Sequence, residues 1–222
     1  MTSWPSPAES RSPAVIACGA LATAIRHLAT RRAWEVDVYS LPSLLHNRPQ
    51  LIAPRVEELA ARLRDRGRRV VVAYADCGTY GALDLVCERM GLHRLRGAHC
   101  YDLFAGADCV AELFADEPGT YLLTDFLVRT FRTSVLKELG LDAHPELWDD
   151  YFHHYRRLVW LAQDRSADLE AQARAIAERF ALPLEVLDVG LMSLERELEE
   201  LLGPSIRGHK RSVSDAEVAR AR

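Results

Sequence analysis

Short apolar runs alternate with helical segments through the first two thirds of the sequence, and this alternation constrains the fold more than any other feature. The clearest run, residues 70–74, is continuous and rich in valine, as is typical of a strand buried on both faces of a parallel sheet. The clearest helical pattern covers residues 50–66, where apolar residues recur on one face and Gly67 follows as a stop. Such alternation predicts an α/β protein with a mostly parallel sheet flanked by helices, in a doubly wound, flavodoxin-like layout.

The C-terminal third differs from the rest because helical segments dominate it, and we expect these helices to pack on the sheet. Further strands are predicted at 14–17, 34–41, 92–98, 119–123 and 184–189, and further helices at 20–31, 81–90, 102–115, 127–139, 145–164 and 167–180, with a last helix ending at 202. Residues 1–13 and 204–222 are polar and lack a periodic pattern. We therefore expect two disordered tails around a single domain at 14–203.

Composition excludes two classes of partner. The chain has 222 residues, 49% of them hydrophobic, and a formal net charge of -4, which suits a globular core and not a nucleic-acid-binding surface. No apolar run approaches the ~20 residues that a membrane-spanning helix needs. The first thirteen residues are polar and proline-rich, unlike a secretory signal. These features predict a cytoplasmic protein that binds neither nucleic acid nor membrane.

Three of the five cysteines share one local context, just after a predicted strand. These are Cys18, Cys77 and Cys100, and the carboxyl ends of parallel strands lie at one edge of a sheet, where ligands bind. Glycine follows Cys18 and Cys77, and a helix begins within a few residues, so helix N-termini can stabilise thiolates there. Cys87 and Cys109 fall within helical segments beside apolar residues and are interpreted as packing residues.

Three convergent thiolates suggest a metal cofactor. None of them belongs to a Cys-x-x-Cys pair, which excludes a zinc ribbon. A [4Fe–4S] cluster with one open iron ranks first, since such clusters are bound by thiolates. Zinc held by two or three of the cysteines with His46 or His99 ranks second, and a metal-free site with one activated cysteine and a histidine base ranks third. A shared cluster or metal requires the three sulfurs to lie within roughly 6–7 Å of one another.

Several other side chains are candidates for the same crevice. His46, His99 and Asp125 are candidate acids, bases or orienting groups, because each follows a predicted strand. Tyr155 and Arg156 belong to an aromatic and basic stretch that either packs on the sheet or closes over the crevice. The candidate substrate-binding residues are Asn47, Asp76, Thr79, Tyr101, Tyr155 and Arg156.

An ordered set of short motifs resembles a known family. The motifs are Cys18-Gly19-Ala20, Leu45-His46-Asn47 with Pro49, Asp76-Cys77-Gly78-Thr79, His99-Cys100-Tyr101, Thr124-Asp125-Phe126-Leu127, His144-Pro145-Glu146-Leu147, Tyr151-Phe152 with Tyr155, and Leu161-Ala162-Gln163. Together they resemble a bacterial and archaeal family catalogued as domain of unknown function 1638. Members are often encoded near corrinoid-dependent methyltransferases. The resemblance therefore implies a role in one-carbon or methylated-amine metabolism, with a corrinoid protein or methyltransferase as partner.

Three functions agree with these patterns. The first is an iron–sulfur or other metal-dependent enzyme acting on a small polar metabolite. The second is a non-catalytic accessory protein that binds a corrinoid, a metal or another ligand for a methyltransferase system. The third is a metal-free cysteine transferase. Metal content and cysteine reactivity discriminate among them.

Overall fold

The computed structural model describes residues 12–203, so the predicted tails lie outside the described residues except for Ser12 and Pro13. The α/β class is confirmed, with parallel strands flanked by helices. The strands are β1 (Ala14–Cys18), β2 (Asp37–Leu41), β3 (Val70–Ala73), β4 (Thr120–Thr124), β5 (Arg157–Ala162) and β6 (Leu184–Asp188). The helices are α1 (Gly19–Arg32), α2 (Ile52–Asp65), α3 (Ala82–Met90), α4 (Cys100–Ala105), α5 (Ala107–Asp116), α6 (Asp125–Phe131), α7 (Trp148–Phe152), α8 (Ala167–Phe180) and α9 (Met192–Leu202).

The first sheet has the strand order β2-β1-β3, and all of its pairs are parallel. Its central strand, β1, is completely buried, and Ala17 lies opposite Ala73 of β3. Beyond β3 the predicted strand at 92–98 contributes only a single parallel bridge, between Val72 and Arg94. The carboxyl ends of β1 and β3 are therefore neighbours, which brings Cys18 close to the residues that follow β3.

The second sheet has the strand order β4-β5-β6, again with parallel pairs. Its central strand, β5, is where the sequence-based assignment was wrong, because the helix predicted at 145–164 is in fact a 3-10 turn, the short helix α7 and then this strand. The run from Arg157 to Ala162 is almost entirely apolar and buried on both faces. Periodicity alone does not distinguish such a run from a buried helix.

The two halves are tied together by the C-terminal helix. Helix α9 packs on α4 and β3, and its buried residues Leu194, Leu198 and Leu202 belong to the core of the first half. On the same helix, the buried carboxylate of Glu195 pairs with Arg31 and Arg32 at the end of α1. The chain thus returns from the second sheet to the first. Within residues 12–203, no helix is both long and apolar enough to cross a membrane.

Candidate functional site

Cys18 ends β1 and caps α1. The residue is completely buried, and its Sγ accepts a hydrogen bond from the backbone N–H of Ala20 at 3.3 Å. The next residue, Gly19, lies so close to the following loop that a Cβ there would be 2.8 Å from the backbone nitrogen of Ser43 and 2.9 Å from the carbonyl oxygen of Leu41. Glycine at this position therefore allows the segment that carries His46 to pack directly against Cys18.

His46 faces Cys18 from a 3-10 turn, Ser43–Asn47. Its Nδ1 lies 2.7 Å from the carbonyl oxygen of Ser43, and since that oxygen only accepts, Nδ1 carries the proton and donates. Its Nε2 is then left 3.6 Å from the Cys18 sulfur. Burial by itself lowers the pKa of His46, but contact with the Cys77 sulfur and the bond to Ser43 raise it above its ordinary value.

Cys77 lies in a strained loop between β3 and α3. Four of the five residues 77–81 have positive φ angles, and two of them, Cys77 at 51° and Tyr80 at 50°, are not glycine. The carboxylate of Asp76 holds this loop by accepting hydrogen bonds from the Thr79 hydroxyl at 2.6 Å and from the backbone N–H groups of Tyr80 and Gly81 at 3.0 Å. Strained backbone of this kind is concentrated at functional sites.

Cys100 is the first residue of α4, directly after the loop that follows α3. The backbone N–H of Cys77 donates to the carbonyl oxygen of Ala98 at 2.7 Å, which joins the loop after β3 to the loop before α4. Asp102 fixes the start of the helix by accepting from the backbone N–H groups of Ala98 and His99. The two cysteines therefore approach the site from adjoining loops.

The pKa values of the thiols reflect their shared surroundings. Burial raises the pKa of Cys18 to about 11. Burial also raises the pKa of Cys100, and proximity to Cys18 and Cys77 raises it further. The three cysteines that the sequence singled out are thus brought together with His46.

Tyr74 is a further residue beside the three cysteines. It follows β3 directly, is completely buried, and its ring lies nearly parallel to that of His46, with 6.3 Å between centroids. Burial raises its pKa, and proximity to Cys18 and Cys77 raises it further. Its hydroxyl is the buried side-chain atom in the described part of the chain that has no hydrogen-bond partner.

A cavity of about 170 Å³ opens beside these groups, between the two halves of the molecule. Its walls combine residues from both halves: Ala20, Ser43, Leu44, His46, Asn47, Cys77, His99, Cys100, Tyr101, Thr124, Phe126, Leu127 and Ser134. Among the predicted residues, His46, His99, Asn47 and Tyr101 therefore face this space with two of the cysteines. The contribution of Ser134, from the π-helical segment Arg132–Leu136 that follows α6, had no signal in the sequence.

Other predicted residues lie elsewhere. Asp76 and Thr79 hold the loop around Cys77 and do not line the cavity. Hydrogen bonds from Thr79, Gly81 and Tyr80 outweigh the effect of burial and lower the pKa of Asp76. Of the aromatic and basic stretch, Tyr155 packs edge-on against Tyr121, and the exposed Arg156 donates to the backbone oxygens of His153 and Tyr155.

Asp125 is buried at the end of β4 but does not line the cavity either. One of its oxygens accepts from the Trp160 indole at 2.9 Å and from the backbone N–H of Gln163 at 3.1 Å. The other accepts from the backbone N–H of Asp164 at 2.9 Å. These contacts join β4 to the end of β5.

The described residues include no group of three or more His, Cys, Asp or Glu side chains arranged to hold a metal ion. The iron–sulfur cluster and zinc therefore stay predictions. Thiolates that bind one ion all lie ~2.3 Å from the same metal, which holds their sulfurs close together. The thiolates of a four-iron cluster bind different irons, so their sulfurs are further from one another. Cys18 ends β1, Cys77 lies in the loop after β3 and Cys100 begins α4, so three thiols, the ligand type that binds iron–sulfur clusters, come from three separate segments near the cavity.

Fold and site together define an α/β protein with a buried group of thiols and an imidazole at the carboxyl ends of parallel strands. The chain belongs to the family described as Protein of unknown function (DUF1638), whose sequence model matches residues 40–198. The resemblance drawn from the motifs is thus confirmed. No curated protein and no solved structure matches the chain significantly.

Proposed function

We propose that this protein is a metal-dependent enzyme in which Cys18, Cys77 and Cys100 hold a [4Fe–4S] cluster beside the cavity, and that it acts on a small polar metabolite. The observation that carries the proposal is the grouping of three thiols around His46, with His46, Cys77 and Cys100 lining a cavity of about 170 Å³ and Cys18 buried behind His46. A cluster held by these three protein ligands would have one iron without a protein ligand, which would supply a Lewis acid for the substrate.

The protonation of the thiols supports a metal over a free nucleophile. With pKa values raised by burial, Cys18 and Cys100 are protonated at neutral pH and are weak nucleophiles. A metal displaces the proton from a coordinating thiol, so burial does not oppose ligation in the same way. Buried thiols with raised pKa values therefore suit ligation better than attack.

The cavity limits the size and charge of the substrate. A cavity of about 150 Å³ accommodates benzene, so this one suits a ligand of about six non-hydrogen atoms. Its walls within the described residues carry no Asp, Glu, Lys or Arg. His46 and His99 are the imidazoles on its walls that would serve as acid or base, and Asn47 and Tyr101 would provide hydrogen bonds that orient a polar ligand.

The biological setting is also proposed. The resemblance implies a setting near corrinoid-dependent methyltransferases, and such a setting favours a metabolite of one-carbon or methylated-amine metabolism. Pockets for drug-sized ligands measure roughly 300–1,000 Å³, so a corrinoid macrocycle exceeds this cavity and would be presented by a partner protein. All five cysteines are free, which agrees with a reducing compartment such as the cytoplasm.

A second candidate is a metal-free cysteine transferase. The observation in its favour is the His46 imidazole, anchored through Nδ1 to Ser43 with Nε2 3.6 Å from the Cys18 sulfur. A nucleophile beside an oriented base is the arrangement that thiol catalysis uses. A metal-free transferase requires one of these cysteines to ionise at neutral pH.

Purification without oxygen, followed by iron and sulfide reconstitution, tests the first proposal. We expect a brown protein with about four irons per chain, whose absorption or paramagnetic spectrum changes when a small ligand binds the open iron. A colourless protein that takes up no iron would contradict it. Rapid iodoacetamide labelling of Cys18 or Cys77 alone in that metal-free protein, with Cys87 and Cys109 as slow references, would support the transferase instead.

A further inference from the structure

The hydroxyl of Tyr74 is an exception among the polar groups of the core. The residue is 0% exposed and its hydroxyl has no partner within the described part of the chain. A buried tyrosine ordinarily pairs its hydroxyl, and leaving such a group unpaired is costly. An orphaned hydroxyl at this depth therefore points to a partner that binds separately from the polypeptide.

The position of the ring indicates where that partner binds. Tyr74 follows β3 at the edge of the sheet where Cys18 ends the neighbouring strand, and Cys77 comes three residues later. One face of the ring stacks on His46, whose Nε2 is itself directed at the Cys18 sulfur. The hydroxyl also lies close enough to Cys18 and Cys77 for their charges to affect it.

We propose that the Tyr74 hydroxyl donates a hydrogen bond to the group that the three cysteines hold, at a sulfide or a thiolate sulfur. The inference rests on the proposed function and adds a positioning residue to it. A phenol is protonated at neutral pH and provides one O–H donor, whereas sulfur bound to a metal is an acceptor. Hydrogen bonds to the sulfurs of a cluster raise its reduction potential, and groups that contact metal ligands affect metal affinity.

The test compares the full chain carrying Tyr74→Phe with the wild type, both unloaded and reconstituted with iron and sulfide. Tyr39→Phe is the matched control, since its hydroxyl, on β2, contacts Arg68 at 3.4 Å. Unloaded Tyr74→Phe should melt at the wild-type temperature or above, because no bond is lost. Once loaded, it should release iron to a chelator about tenfold more readily and show a more negative reduction potential, while Tyr39→Phe matches the wild type in both.

Each other outcome has a distinct meaning. If wild type and Tyr74→Phe load with the same iron retention and potential, the hydroxyl does not contact the bound group, although the proposed function stands. If unloaded Tyr74→Phe melts below the wild type, the hydroxyl already has a partner such as an internal water, and the inference is wrong. If the wild type takes up no iron at all, the proposed function fails and this inference fails with it.

Discussion

At the scale of single residues, Cys77 occupies a backbone conformation that glycine adopts more readily. Its φ of 51° lies in the left-handed region, which costs a side-chain-bearing residue roughly 1–2 kcal/mol. We therefore expect Cys77→Gly to be more stable than Cys77→Ala by roughly 1 kcal/mol, measured by urea unfolding.

The matched control is Cys87, which is buried within α3. There glycine should be the less stable replacement, by roughly 1 kcal/mol relative to alanine, because it weakens a helix interior. If alanine were the more stable replacement at both positions, Cys77 would be unstrained.

The carboxylate of Asp76 predicts a pH dependence of stability. Its folded pKa is lowered, so its contribution is fully present above the unfolded value of about 3.9 and is lost as the pH falls through the folded value. The stability advantage of the wild type over Asp76→Asn should therefore be constant near neutral pH and shrink in acid. Unfolding measured across this range tests it, with the exposed Asp65→Asn as background. An advantage that persists undiminished in strong acid would exclude the carboxylate as its source.

The sequence predicts which residues belong to the site only where it also predicts the end of a strand. Cys18 and Cys77 come together because β1 and β3 are adjacent parallel strands that end at one edge. The strand predicted before Cys100 is only a single bridge, and Cys100 joins them because the segment before α4 is hydrogen-bonded to Cys77 through Ala98. The strain at Cys77 and the isolation of the Tyr74 hydroxyl were not predictable, because both depend on dihedral angles and contacts set by tertiary packing.

At the scale of elements, the close approach of α1 to the Ser43–Asn47 turn makes Gly19 sensitive to any side chain. Gly19→Ala places a Cβ within 3 Å of two backbone atoms, so we expect a loss of roughly 1–3 kcal/mol and a displaced His46. Thr23→Ala, on the exposed face of the same helix, should stay within ~0.5 kcal/mol of the wild type. Urea unfolding of both variants checks the difference, and equal stabilities would contradict the contact.

Asp125 has a structural role because its carboxylate links the end of β4 to β5. In Asp125→Asn one oxygen remains an acceptor, but the amide NH₂ faces an N–H group whose hydrogen bond the carboxylate accepts in the wild type. The variant should therefore lose roughly 2 kcal/mol of unfolding free energy. Iron loading of the folded variant should be unchanged. If the variant were stable but no longer loaded iron, Asp125 would have a direct role at the site.

Strand β5 shows why the sequence alone did not assign every helix and strand correctly. The helix predicted at 145–164 combined an aromatic helical stretch with an apolar run, and the run is short enough to be either element. Only its pairing with β4 and β6 distinguishes the two, and pairing between distant segments is not a local property of sequence.

At the scale of the molecule, two three-stranded parallel sheets meet at one cavity where a single sheet had been expected. Alternation of strand and helix predicts parallel strands but not how they divide between sheets. The second wall of the cavity, with Thr124, Phe126, Leu127 and Ser134, follows from that division. The thiol side of the site was therefore predictable, and most of the side opposite it was not.

The proposed cluster is tested by the iron and sulfide content of the five single Cys→Ser variants, reconstituted without oxygen. We expect about four irons per wild-type chain, loss of most of that iron in Cys18→Ser, Cys77→Ser and Cys100→Ser, and wild-type content in Cys87→Ser and Cys109→Ser. Wild-type protein without iron, or an equal loss in all five variants, would contradict it.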